Sequence, residues 1–358
     1  MPKPNPLEKL YAKAATKILG ESLHLGKGES LTIETWNNGE EFARKLAMEA
    51  RRIGAMPLVV LEDEEAYVQG VKKMDREMLG KMGKQEYALL SATDAYVFIP
   101  GPPLSAFYSR LTPEERALAT AYNPSWYEAA EKARLRGARI NLGYVTKDMA
   151  KVLGKSQEKI IAHQLNAVIN ADFASMSKTG QEILQLLPDG ASCTLTSTGG
   201  SRLEFKLQGD AEVDDGIVDQ IDVEIGNNMV YMPPGFVSKR VDSSSVSGRV
   251  KSFASASRFG HIKDSMLEFE SGKLVKWESR SSKKALDKTI DSINEENRKL
   301  GILAIGLNPA AKLDYGVDRF VQGAVSLNVA YRLTEIVTKG SLSVDGKEIV
   351  NSGDISTA

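Results

Sequence analysis

Apolar and polar positions follow two different rhythms along this chain, and the change falls near residue 150. In the first stretch Leu7, Leu10, Tyr11, Ala14, Ile18 and Leu19 recur at helical spacing, which predicts an amphipathic helix over residues 7–23. Gly26-Lys27-Gly28 breaks it, and Ser30–Trp36 reads as a strand. Residues 40–53 return to helical spacing and stop at Gly54, a residue suited to a left-handed C-cap. Pro57-Leu58-Val59-Val60-Leu61 is almost uniformly apolar, which predicts a strand buried on both faces. Residues 94–99 read as another buried strand, stopped by Pro100-Gly101-Pro102-Pro103. A helix over 126–136 leads through Gly137 to a strand at 138–142. Strands alternating with helices predict an open, mostly parallel sheet with helices on both faces, an α/β domain over residues 1–150.

Beyond Thr146 the texture changes. Thr146 can cap a short helix, and Ser156 a longer one running to about residue 187. After Pro188-Asp189-Gly190 the chain becomes rich in strands. A hairpin turns at Gly199-Gly200, strands are expected at 249–254, 266–270 and 273–277, and a last hairpin turns at Asp345-Gly346. A charged amphipathic helix is expected over 284–298. Residues 151–358 therefore read as a larger α+β domain whose strands are mainly antiparallel.

Composition narrows the classes of function. With 358 residues and a formal net charge of -1, no global field attracts nucleic acid or an anionic membrane. No apolar run approaches the ~20 residues of a membrane span, and residues 1–17 lack the apolar core of a signal peptide, so a cytoplasmic protein is expected. The lone Cys193 has no disulfide partner. His24, His163 and His261 are far apart and lack His-x-x-x-His spacing, so each reads as an ordinary surface or core histidine. The acidic run 212–224 lacks the EF-hand pattern and reads as a solvated edge. Ser243-Ser244-Ser245 has no nucleophile elbow and reads as a polar loop. Trp36-Asn37-Asn38-Gly39 and Pro100-Gly101-Pro102-Pro103 fall where open sheets receive ligands, yet neither is a GxGxxG fingerprint; both read as plain strand-to-helix turns.

The run 300–335 has the build of a site wall: apolar strand, the turn Gly306-Leu307-Asn308-Pro309, a loop and a second strand. It holds no His or Cys, and its first carboxylates are Asp314, Asp318 and Glu335. Together with Val213-Asp214-Asp215-Gly216, the stretch 228–235 (NMVYMPPG), 301–309 (GILAIGLNP), 326–337 and Val344-Asp345-Gly346, it resembles the aminopeptidase T-like family, the thermophilic metalloproteases. The resemblance extends to the opening βαβ and so covers nearly the whole chain. It implies a two-domain homodimer with two metal ions, cleaving peptides from their N-termini.

At the positions that the resemblance makes metal ligands, this chain reads Phe236, Ile302, Ser326 and Leu333, and Glu335 is the only plausible ligand retained. Such a pair of ions needs several carboxylates and imidazoles. The expectation is therefore a pseudopeptidase, a protein that binds a small ligand or peptide in an inter-domain cavity with no cofactor. Phe236, Arg240, Ile302, Asn308, Arg319, Ser326 and Asn328 are the cavity candidates. The alternative is an active hydrolase with a rebuilt divalent site (zinc, cobalt or manganese), or another small-molecule enzyme using the same cavity. Glu335, Asp318 and Tyr231 are then the catalytic candidates.

Overall fold

The computed structural model describes residues 6–101, 110–257, 259–330 and 333–356. The chain divides into two compact units, Met1–Asn170 with Gly216–Pro233, and Ala171–Asp215 with Pro234–Ala358. The sequence places a boundary near residue 150; this division falls later and is crossed more than once.

The first unit is built on β1 (Ser30–Trp36), β2 (Met56–Glu62), β3 (Ala95–Ile99) and β4 (Arg136–Ile140). The chain then makes β5 (Ser192–Ser197) and β6 (Ser201–Asp214) of the second unit before supplying β7 (Met229–Met232) to the first. The order is β2-β1-β3-β4-β7, and every pairing is parallel. Because β7 pairs with β4, segment Gly216–Pro233 groups with the first unit. Part of the acidic run serves as a helix start: Asp219 accepts from the backbone N–H groups of Ile221 and Asp222 and opens the helix Gln220–Ile225.

The expectation for β2 is corrected. Met56, Leu58 and Leu61 are 59%, 52% and 52% exposed; β2 is the edge strand, paired with β1 alone among the described residues, and its faces are incompletely covered. A uniform apolar run does not separate an edge from a centre. The strand-end turns are close-packed: a Cβ on Gly101 would sit 1.9 Å from the Trp36 ring, and one on Gly143 1.9 Å from the carbonyl oxygen of Pro100. Pro102 and Pro103 lie outside the described residues. Within the sheet, Glu34 of β1 accepts a hydrogen bond from the Tyr96 hydroxyl of β3, and burial pushes its carboxyl up to about 7.

In the second unit the antiparallel strands join in the order β10-β9-β15-β14-β13-β8-β6-β5-β16-β17-β18, with β11 and β12 branching from β8. Their ranges are β8 Phe236–Lys251, β9 Ala254–Ser257, β10 Gly260–Lys263, β11 Ser265–Glu270, β12 Lys273–Ser279, β13 Leu300–Gly306, β14 Val325–Val329, β15 Leu333–Val337, β16 Ser341–Val344, β17 Lys347–Asn351 and β18 Asp354–Ile355. The single long helix expected over 157–187 is two, Gln157–Ile169 and Phe173–Gln185, because Asp172 starts a new one by accepting from the Ser175 N–H. The helix expected over 284–298 ends at Asp291. Helix Phe173–Gln185 packs on β6 and β8 through Gly180, whose missing Cβ would lie 2.5 Å from Val213 and 3.6 Å from Val237. That contact identifies the core face of the sheet.

Candidate functional site

Strand parity sorts the candidate residues. Opposed residues in an antiparallel pair share a face, and residues two apart along a strand share it too. Ile302 is opposed to Arg240 on one side and Asn328 on the other, and Ala304 to Ser238 and Ser326. Phe236, Ser238, Arg240, Ile302, Ser326 and Asn328 therefore occupy one face of β8, β13 and β14. Glu212 of β6 joins them opposite Ser238, and Thr334 of β15 opposite Asn328, whose amide donates to it at 3.2 Å. Most of the expected cavity residues thus share a surface.

Glu335 does not reach that surface. It is opposed to Leu327 and Ser255, on the face carrying Leu303 and Val237, and is 0% exposed. Ser265 donates to its carboxylate at 2.6 Å, and Ser265 in turn bonds with Ser252 and Ser255 at 2.7 and 2.5 Å. Burial raises its pKa above the ordinary value. Folded Glu335 thus keeps its proton to higher pH than the unfolded chain, so its contribution to stability is present at low pH and is lost as pH rises above about 4.5. Glu335→Gln should keep the serine contacts and remove this loss. Urea midpoints at about pH 5 and about pH 8 should fall less in the variant than in the wild type; equal falls would show that the carboxyl does not titrate there.

The loop from β13 to β14 is held shut by Asn308, which is 0% exposed. Its amide nitrogen donates to the carbonyl of Pro234 at 3.0 Å, and its side-chain oxygen accepts from the N–H groups of Ala310 and Ala311 at 2.9 and 3.2 Å. Its backbone pairs with Phe320 and Gln322 across the loop. Asn308 is therefore a clamp for the loop and the Pro234-Gly235 turn, in place of the cavity role expected of it. Gly235 sits at φ +113, with Met176 and Asn308 too close for any Cβ.

The clamped loop presents Asp318, Arg319 and Phe320 in one 3-10 turn. The Arg319 guanidinium lies 4.9 Å from the centre of the Phe236 ring and 4.6 Å from that of Phe320. Arg319 also acts electrostatically on Glu212, whose pKa is raised by burial and opposed by Arg319 and a Ser238 hydrogen bond. Arg240 is exposed and pairs at 3.4 Å with Asp210. Tyr231 lies on β7 of the first unit, where it acts on Arg139 and Tyr127.

A grouping not foreseen in the sequence forms beside Arg319. One donor atom each from His261, Asp314 and Asp318 lie within 4.8 Å of one another. Asp314 sits at φ +63 and donates its backbone N–H to Asp318 at 2.6 Å, while Lys263 approaches the Asp314 carboxylate at 3.4 Å. His261 and Asp318 are far apart in the sequence, and no spacing signals their meeting.

The two-metal centre implied by the resemblance does not fit the side chains present. Phe236 and Ile302 have no donor atom, Ser326 offers one hydroxyl, and Leu333 is 0% exposed on the opposite face with Glu335. No family model and no curated protein matches the chain. Among solved structures, wild-type AmpT from Thermus thermophilus matches with a TM-score of 0.65 at 16% identity, covering 98% of this chain and 99% of that one. At that identity the likeness is one of fold: a parallel sheet and a large antiparallel sheet, arranged along the chain as in AmpT.

Proposed function

We propose that the second unit binds a small zwitterionic molecule, an amino acid or short peptide, on the polar face of β8, β13 and β14, as a pseudopeptidase without two-metal hydrolysis. The observation that carries this reading is the Arg319 guanidinium resting on the neighbouring rings of Phe236 and Phe320, with Glu212 near enough to feel its charge. A planar guanidinium on aromatic faces is suited to a bidentate carboxylate, and Glu212 supplies the opposite charge for an ammonium group. Ser326 and Asn328 offer neutral hydrogen-bonding groups on the same face. Phe236 and Ile302 add apolar surface at positions where the resemblance expects ligand carboxylates.

Calorimetric titration with dipeptides and free amino acids tests the reading. Arg319→Gln should weaken binding at least about tenfold, a loss of about 1.4 kcal/mol. Arg319→Lys should recover only part of it, because Lys keeps the charge without the planar fork. Binding that ignores Arg319, or turnover of aminoacyl amides by the wild type, would overturn the proposal.

A further inference from the structure

We infer that His261, Asp314 and Asp318 form a binding site for one divalent transition-metal cation. The inference goes beyond the ligand reading and uses none of the positions that the resemblance assigns to metal. Two separate pieces of chain supply the donors: His261 comes from β10, and Asp314 and Asp318 from the loop between β13 and β14, Asp318 within its 3-10 turn. Each is held in place. β10 pairs with β9, Asp314 occupies a left-handed backbone position that Asp tolerates, and Asp318 is tied to the Asp314 N–H.

Charge gives the second argument. Asp318 is 4% exposed and shares its surroundings with a second carboxylate within 4.8 Å. Two carboxylates this close either share a proton or are offset by positive charge nearby, and a cation would serve the second way. Lys263 partly provides it: two residues from His261 on the same strand, it reaches Asp314 at 3.4 Å. Its side chain is 43% exposed, so it can turn out to water and yield the place to an ion. Both His261 ring nitrogens are shielded from solvent, whereas the Asp314 side chain is 27% exposed and leaves a route of entry.

The donor set selects the class of ion. One imidazole with two carboxylates suits zinc or manganese, while calcium and magnesium prefer oxygen alone. Zinc held at about 2.0–2.2 Å from each donor needs them roughly 3–3.6 Å apart. Reaching that spacing from within 4.8 Å calls for side-chain rotation as the ion binds. Water would complete the coordination on the exposed side. A bound ion would fasten the β9–β10 hairpin to the loop that carries Arg319.

The test loads full-length protein, stripped with chelator, with zinc or manganese, then counts the metal retained after gel filtration and measures affinity by competition with a chelating dye. The wild type should retain one ion per chain, with magnesium and calcium not retained. His261→Gln and Asp314→Asn should each lower affinity by at least about tenfold, with circular dichroism confirming their fold; Asn also accepts the left-handed backbone. Lys263→Gln should bind more tightly than wild type, because the competing ammonium is gone. That variant keeps the test decisive even if the others fold poorly. No retained ion in the wild type, or equal affinity in His261→Gln, Asp314→Asn and Lys263→Gln, would overturn the inference. Peptide titrations on the same samples separate this outcome from failure of the ligand reading, since metal retention does not depend on peptide binding.

Discussion

Asn308→Ala should lower the unfolding free energy by about 3–5 kcal/mol, the largest effect expected of any substitution at the site. Three hydrogen bonds vanish at once, to Pro234, Ala310 and Ala311, and all their partners sit around a side chain that is 0% exposed. Each lost bond is worth about 1 kcal/mol, and a buried group left unsatisfied adds about 1–3 kcal/mol. Partial entry of water keeps the total below the simple sum. Asn308→Asp separates the two halves of the clamp. The carboxylate still accepts from Ala310 and Ala311 but cannot donate to Pro234, and it brings a charge into a closed space. It should therefore be destabilised by a similar amount at neutral pH and recover in acid, where the protonated acid can donate again. Urea unfolding measures both, and a loss under about 1 kcal/mol for Asn308→Ala would mean that the loop closes without the clamp.

The second large effect belongs to Glu34, whose carboxyl is pushed up to about 7 by burial within the parallel sheet. Between 4.5 and about 7 the folded protein holds a proton that the unfolded chain has released. The folded state therefore binds more protons across this window, and its stability falls as pH rises through it. The full shift corresponds to about 3 kcal/mol. Other carboxylates in the chain act in the opposite direction; the Asp189 carboxyl, for example, is lowered by its hydrogen bond to Lys239. The difference between wild type and Glu34→Gln isolates the one group. Gln can still accept from Tyr96 and does not titrate, so the variant should gain on the wild type as pH rises and the gain should level off above about 7. A constant difference from acid to neutral pH would show that Glu34 is charged in the folded protein.

Much of the architecture is written locally. Ser30–Trp36 and the helix Glu40–Ile53 ending at Gly54 are set by neighbours in sequence, and pattern reading finds them. What escapes it is set at a distance. β2 has the composition of a central strand, yet it lies at the edge of the described sheet with Met56 and Leu58 exposed. The pairing of β7 with β4 joins residues separated by two strands of the other unit. At the site, the chemistry of Glu335 suggests a ligand, although its alternation with Leu333 and Val337 already places it among core residues. That signal was present in the sequence and outweighs the carboxylate's promise as a ligand. Asn308 was legible as a turn residue, but its three bonds were not. No local pattern announces the meeting of His261 with Asp314 and Asp318, because it depends on how the β9–β10 hairpin and the loop after β13 come together.

The return of the chain to its first sheet through β7 has a consequence for synthesis. As the protein emerges from the ribosome, β4 must wait with one edge unpaired while residues 171–215 of the other unit are made. An unpaired parallel strand is exposed to wrong partners during that interval. The first sheet is complete only when Met229–Met232 has emerged, after residues 171–215 of the second unit have been made, and a fragment ending at residue 170 lacks its last strand.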